Sequence, residues 1–417
     1  MNKFKKSLIL SLSAMAMMVA CKKDDKGETK AKTTEAAKVT DTKKTDTDTP
    51  DIKKTSVDAT EALKGCWAAS NAHDAEAFGK CVDDKTEMAV VDHTPPMSAK
   101  GSADILAQMK MRWTAFSDIK AAPQLVLTNG QNIASILHVT GTNDGEMMGK
   151  PASNKAMSMF TAQMVAMRTD GKIATDHWWM DQGTGMHQLG MHENEMAPAS
   201  ETAWAEAIWV KAENNEAETA NVAFVKGMEE LVAKADVDGY MALVADDVSF
   251  RYVGHKDPAN GKEAYKKGFD MWMAMADHKG TVAEIWGAGD WVVSVSDMVT
   301  TMKIDMPGTK DTKGKEVKSK VVEFYQIADG KLKAHWVFEN TMNYGVQLGL
   351  MGDMKGMHGE HPAGEHPTGD HPKGEHPAGE HPKGEKAGEH PAGDKKAGGE
   401  HPAGDKKADG EHPKKTK

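Results

Sequence analysis

One stretch of this chain is written twice. Asp170-Gly171-Lys172-Ile173 opens a run through His177, Trp178, Trp179, Met180 and Asp181 to Gln188-Leu189-Gly190. Asp329-Gly330-Lys331-Leu332 opens a second, through His335, Trp336, Val337, Phe338, Glu339 and Asn340 to Gln347-Leu348-Gly349. The two align without a gap. A self-match at a fixed offset means two copies of one structural unit, so the rest of the 417 residues divides into repeat, linker and tail.

Each copy reads helices first and strands after. In the first, 60–195, helical patterns at 61–71 and 74–82 precede a β-like stretch, Met88–Asp92, which Pro95-Pro96 ends. Ser102 reads as the N-cap of a helix over 103–116, with Ile105, Leu106, Met109, Trp113 and Phe116 on its apolar side. Strand-like runs follow at 123–128, 132–141, 156–168 and 173–181, the last two joined by the turn signal Asp170-Gly171. The second copy, 217–351, repeats the order: helices at 219–234, 238–244 and 261–276, a strand at 248–253, then strands at 281–287, 290–303, 316–328 and 331–340. The linker, 196–216, is expected to carry a short helix with Trp204 and Trp209.

The ends are compositionally unlike the middle. Residues 22–59 are Lys, Asp, Thr and Glu with almost no large apolar residue, and residues 352–417 repeat Glu-His-Pro-Ala-Gly and close variants. Neither can bury enough surface to offset the entropy of ordering it, so both are expected to be disordered. The net charge of -10 argues against a nucleic-acid partner.

Residues 1–21 set the expected compartment. Lys3, Lys5 and Lys6 precede an apolar run from Leu8 to Val19, too short to span a bilayer as a mature helix. It ends at Met18-Val19-Ala20-Cys21, which resembles a bacterial lipobox with Met where Leu is usual. The expectation is a lipoprotein held to the membrane through lipidated Cys21. Lys22 after that cysteine favours the outer membrane. Cys66 and Cys81 are then an even pair in an oxidising compartment, which reads as a disulfide or, alternatively, as two buried thiols.

Helices followed by a long antiparallel sheet describe an α+β cone: a curved sheet wrapped round helices, leaving a pocket, here in two tandem copies. The Gly141–Pro151 segment, Met157 to Arg168, Asp170-Gly171-Lys172-Ile173, Asp181 and Gln188-Leu189-Gly190 resemble the SnoaL-like polyketide cyclase family, of the nuclear transport factor two-like superfamily. The second copy resembles it through His335-Trp336 and Gln347-Leu348-Gly349. The resemblance implies a pocket and, in the family's cyclases, an Asp near the end of the last strand that acts as acid and base in an intramolecular aldol closure without a cofactor. Asp181 takes that position in the first copy and Asn340 in the second, with Glu339 facing the other way.

Alternation along 173–181 places His177, Trp179 and Asp181 on one face, expected to line the first cone. His138 and Gln163, and Asp92 with His93, are further candidate polar groups of that pocket. Tyr252, Trp336, Phe338 and Asn340 point to an apolar cavity with one amide in the second. The 30 Met residues read as adaptable core packing, or as thioether ligands for copper where the tail begins, at Met351, Met354, Met357 and His358. In the tail, His358, His361, His366, His371, His376 and His381 could gather Zn²⁺, Ni²⁺ or Cu²⁺ loosely, or serve a hydrophilic spacer. Three functions stand open on these residues: a module holding a small, mostly apolar molecule, an acid/base enzyme using Asp181 and His177, and a metal-binding scaffold. The two copies are also candidates to pair with each other, as subunits of related dimers do.

Overall fold

The structure, a computed structural model, describes residues 57–147, 149–192, 197–306 and 309–350. The expected leader with Cys21, residues 22–56 of the expected tether, and the His-rich tail with its candidate metal ligands lie outside the described residues. The last tether positions, 57–59, are instead ordered, because Asp58 caps the first helix and Ala59, at its start, is buried.

The first half begins with α1 (Ala59–Asn71) and α2 (Ala75–Gly79). Asp58 starts α1 by accepting hydrogen bonds from the backbone N–H groups of Thr60 and Glu61, and Leu63, Cys66 and Trp67 form its buried stripe. A disulfide joins Cys66 to Cys81, with Cα atoms 5.9 Å apart across 15 residues. A loop that short contributes about 3 kcal/mol through the entropy it removes from the unfolded chain.

Strands β1 (Glu87–Val90) and β2 (Met97–Lys100) form a small hairpin around the Pro pair, and the sequence reading had no counterpart of β2. Helix α3 (Ser102–Ala115) is entered through Gly101 at φ 84° rather than capped by Ser102, whose hydroxyl instead donates to Asp84. Then come β3 (Lys120–Asn129), β4 (Asn132–Thr142), β5 (Ala156–Met167), β6 (Ile173–Trp179), α4 (Gln182–Gln188) and β7 (Ile208–Lys211). The seven strands are ordered β2-β1-β6-β5-β4-β3-β7. Trp209 therefore lies on an edge strand, not on the helix expected of the linker. Ile208, Trp209 and Val210 suit a strand, and the open edge of β3 supplies parallel partners from Leu125 to Thr128.

The second half repeats this plan with α5 (Glu216–Ala233), α6 (Val237–Ala242), β8 (Val244–Tyr252), β9 (Ala259–Asn260), α7 (Lys262–Met275), β10 (Ala276–Ala288), β11 (Trp291–Met302), β12 (Glu316–Ala328), β13 (Lys331–Phe338) and α8 (Thr341–Leu348). Its sheet is ordered β10-β11-β12-β13-β8-β9. Asp329 and Gly330, at φ 53° and 65°, make the turn between β12 and β13, a geometry in which glycine is favoured.

Both faces of each sheet are covered, which is why successive residues are buried along 133–139 of β4 and 321–325 of β12. One face of the first sheet, with Ile133, Leu137, Met159 and Val165, wraps Leu63, Trp67, Ile105 and Met109 of its helices. In the second sheet Val292, Val321 and Val337 wrap Val225, Tyr265 and Phe269. The opposite faces meet one another: Leu127, Ile136, Phe160 and Trp179 pack in one cluster with Val293, Val295, Phe324 and Phe338. Among the described residues no helix is long and apolar enough to cross a membrane.

Candidate functional site

The phase of β6 determines which residues reach the first cone. His177 and Trp179 do share a face, as alternation requires, but it is the face turned toward the second half. Trp179 belongs to the cluster between the sheets and donates from its indole N–H to the carbonyl of Lys320 at 2.8 Å. His177 is half-buried against Trp179, and burial holds its pKa below the ordinary imidazole value. The residues that look inward are Asp176 and Trp178. Period 2 fixes which side chains travel together, and packing alone fixes which set goes in, so a one-residue error inverts the whole strand. The sequence holds a signal for the correct phase. The gapless alignment of the two copies sets His335 opposite Asp176, so the two His-Trp pairs that attract the eye are one residue out of step.

Asp176 lies at the floor of a cavity of about 30 Å³ lined also by Trp67, Asn71, Met88, Met109, Arg112, Gln163 and Trp178. Gln163 on β5 donates from Nε2 to Asp176 Oδ1 at 2.8 Å, and its Oε1 accepts the indole N–H of Trp67 on α1 at 3.0 Å. This chain from helix to strand to strand locks the carboxyl in place. Burial pushes the Asp176 pKa up to about 6, against opposing hydrogen bonds from Gln163 and Trp178 and the charge of Arg112. A carboxyl poised there can both give and take a proton near neutral pH. The Arg112 guanidinium of α3 sits 5.5 Å from the Trp178 ring centre, and burial lowers its pKa while Asp176 opposes that shift. The space admits a small group as it stands. Met88 and Met109, being unbranched, are the walls best able to yield to a larger one.

Asp181, expected to look into this cone, does not. It is the N-cap of α4 and is fully buried. Its Oδ2 accepts from the Thr184 N–H and hydroxyl at 2.8 and 2.6 Å. Its Oδ1 accepts from the Thr341 N–H at 2.9 Å and from the Thr341 hydroxyl, across the boundary between the halves. Asn340 mirrors it: Oδ1 accepts from Met342 N–H of its own helix and from Gln182 N–H of α4, both at 3.2 Å. Two helix N-termini thus share two caps. Gly254, at φ 109°, leaves room for this: a Cβ there would stand 3.0 Å from Asp181 Oδ2.

Of the other sequence-stated candidates, only Gln163 lines the cavity. His138 Nε2 meets the Ser158 hydroxyl at 2.9 Å and the Glu201 carbonyl at 3.1 Å, tying β4 to the linker. Asp92 accepts from the Lys320 N–H at 2.6 Å, and His93 Nδ1 meets the Pro95 carbonyl at 2.7 Å. Trp336 and Phe338 pack between the sheets, Trp336 against Phe160 and Trp204. Tyr252 faces into the second half and donates to Glu339 at 2.5 Å.

Within its apolar core the second cone holds a buried polar cluster rather than one amide. Cross-strand register pairs Ser135 with Gln163 in the first sheet and Ser294 with Glu323 in the second. Ser-Gln-Asp176 at one floor thus becomes Ser-Glu-His335 at the other. Glu323 Oε1 lies 3.1 Å from His335 Nε2, His335 Nδ1 lies 3.1 Å from the Tyr265 hydroxyl, and that hydroxyl lies 2.8 Å from Tyr240. Burial pushes Glu323 up to about 8 and His335 down to about 3, so both are neutral near pH 7. Sequence reasoning passed over Glu323. Its signal was one carboxylate within Val321-Val322-Glu323-Phe324-Tyr325, a run otherwise suited to a core strand.

Among the described residues no group of three or more His, Cys, Asp or Glu is placed to hold a metal ion. A comparison with curated protein sequences finds no match. Solved structures similar to this chain include IdmH of Streptomyces antibioticus, a candidate polyketide cyclase, at 23% identity over 32% of this chain and 98% of that one, TM-score 0.29. An NTF2-like protein of unknown function from Burkholderia pseudomallei matches at 14% identity over 31% and 96%, TM-score 0.27. An LEH-like epoxide hydrolase of M. tuberculosis matches at 13% identity over 32% and 91%, TM-score 0.27. The family model of the SnoaL-like polyketide cyclases matches residues 57–189 and again 223–348. With well over half of its residues matched by that model, the chain belongs to the SnoaL-like polyketide cyclase family.

Proposed function

We propose that the first cone binds a small molecule, and that Asp176 moves a proton to and from the carbon beside its carbonyl, as a cyclase or isomerase would require. The observation that carries this reading is a buried carboxyl at the floor of a cavity, fixed by Gln163 and Trp67 and raised in pKa to about 6. The ionised form takes the α-proton, leaving an enolate, and the protonated form returns a proton to it. The walls, from Leu63, Phe78 and Met109, suit an apolar remainder of the ligand. In deuterated water, wild-type protein is expected to exchange the α-protons of a small ketone, followed by NMR, with a rate that rises through about pH 6. Asp176→Asn is expected to slow exchange about 100-fold with ligand affinity little changed. Exchange as fast in the variant as in wild type would remove the acid/base role and leave binding alone.

The chain's place in the cell is read as the bacterial envelope, held there by lipid on Cys21. Lys3, Lys5, Lys6 and the Leu8–Val19 run support that reading, as does the bond between Cys66 and Cys81. Cys21→Ala protein expressed in a Gram-negative host is expected to leave the membrane fraction. Retention of the variant with the membrane would contradict the anchor.

A further inference from the structure

The polar groups around the first cavity differ in how far their hydrogen-bonding capacity is already committed. Asn71 is tied at both ends to the backbone of Ala121, donating to its carbonyl at 2.9 Å and accepting from its N–H at 2.8 Å. Gln163 is spent on Trp67 and Asp176. Arg112 is different. Among the described residues its side chain makes no hydrogen bond and no salt bridge; it rests on the Trp178 ring and feels the Asp176 carboxyl at longer range. A guanidinium carries five N–H donors in a planar fork that matches a carboxylate or an enolate oxygen. Half-buried over an aromatic face, such a cation gains little from water and much from an anion brought to it.

The cavity's charge agrees. With Asp176 protonated, Arg112 is the one charged group lining it, so the cavity is cationic when its acid is loaded. With Asp176 ionised, the pair is neutral, and proton uptake by Asp176 then accompanies the entry of an anion. From this geometry we infer that the first cone selects small anionic carbonyl compounds, of the 3-oxo-carboxylate class, with Arg112 receiving the carboxylate or enolate oxygen. The inference rests on the binding reading above and adds a substrate class to it.

Acetoacetate and the similarly sized uncharged pentane-2,4-dione separate the two ideas. Trp67 and Trp178 both line the cavity, so tryptophan fluorescence, backed by calorimetry, reports occupancy. At pH 7 wild-type protein is expected to bind acetoacetate about tenfold or more tightly than the diketone. Arg112→Met is expected to abolish that preference while leaving diketone affinity in place, and Arg112→Lys to keep part of it. Retention of diketone binding by Arg112→Met shows that the variant is folded; if it is lost, Arg112→Lys supplies the comparison. Equal affinity for both probes in wild-type protein would overturn the anion selectivity and leave the binding reading standing. Binding of neither probe would overturn both.

Discussion

Asp181→Ala is expected to destabilise the protein by about 3–5 kcal/mol, and to do so without touching the first cavity. The wild-type carboxylate satisfies two backbone N–H groups and two hydroxyls, half of them from Thr184 and half from Thr341. Loss of a helix cap alone costs about 0.5–2 kcal/mol. Here the methyl of alanine strands donors of two helices at once, in a place with no exposure to solvent. The hydroxyls can turn to other acceptors, but the backbone N–H groups cannot. Asp181→Asn tests the geometry further, because its amide can offer one oxygen where two are needed. Denaturant unfolding followed by tryptophan fluorescence reads the loss, and the α-proton exchange assay reads the cavity. A variant with wild-type stability but no exchange activity would reverse the assignment and return Asp181 to the chemistry.

The second large effect is a fall in stability with rising pH. Glu229, Glu323 and Glu339 of the second half are buried, and burial pushes each of them up to about 8 from the ordinary 4.5. Neighbouring carboxylates intensify this, Glu323 raising Glu229 and Asp92 raising Glu339, while hydrogen bonds from Tyr252, Tyr344 and Ser319 hold Glu339 back in part. Lys226 is the one cation that draws Glu229 back. The folded protein therefore holds protons that the unfolded chain has released above 4.5. Stability conferred by that difference is lost progressively as pH rises toward 8. Buried histidines oppose the trend on the acid side. His255 and His278 are pushed down to about 4 and His335 to about 3, mainly by burial, so they cost stability as the unfolded chain protonates below 6.5. The clean window is thus pH 6.5 to 8.5. Each raised carboxyl contributes on the order of 1.4 kcal/mol per pH unit there until it ionises, and the three together several kcal/mol. Unfolding midpoints are expected to drop steeply across that window in wild-type protein and less steeply in Glu323→Gln. A midpoint independent of pH from 6.5 to 8.5 would show that these carboxyls are charged in the folded state.

Both arguments depend on residues whose types are visible in the sequence and whose surroundings are not. Asp181 and Asn340 stand at matching places after the last strand of each copy, and that correspondence was legible. The cross-capping of α4 and α8 was not, because a cap is a local motif but its second set of donors comes from 160 residues away. His177 drew attention as an imidazole beside tryptophans, and Trp336 and Phe338 as aromatic walls. All three lie on the faces turned outward from their own cones. Linker residues Ile208 to Lys211 form a strand only because β3 has an unpaired edge to receive them.

The chain's own order of residues thus determined the duplication, the helix-then-strand plan, the Asp-Gly turns and the grouping of alternate side chains, since each depends on neighbours within a few positions. Which group of alternate residues became the inside of a cone depended on which face found helices to cover and which found the other sheet. Burial of that kind is a property of surfaces brought together from distant segments. It moved the candidate acid from Asp181 to Asp176, left Arg112 facing it across a cavity, and placed Glu323 beside His335 in the second half.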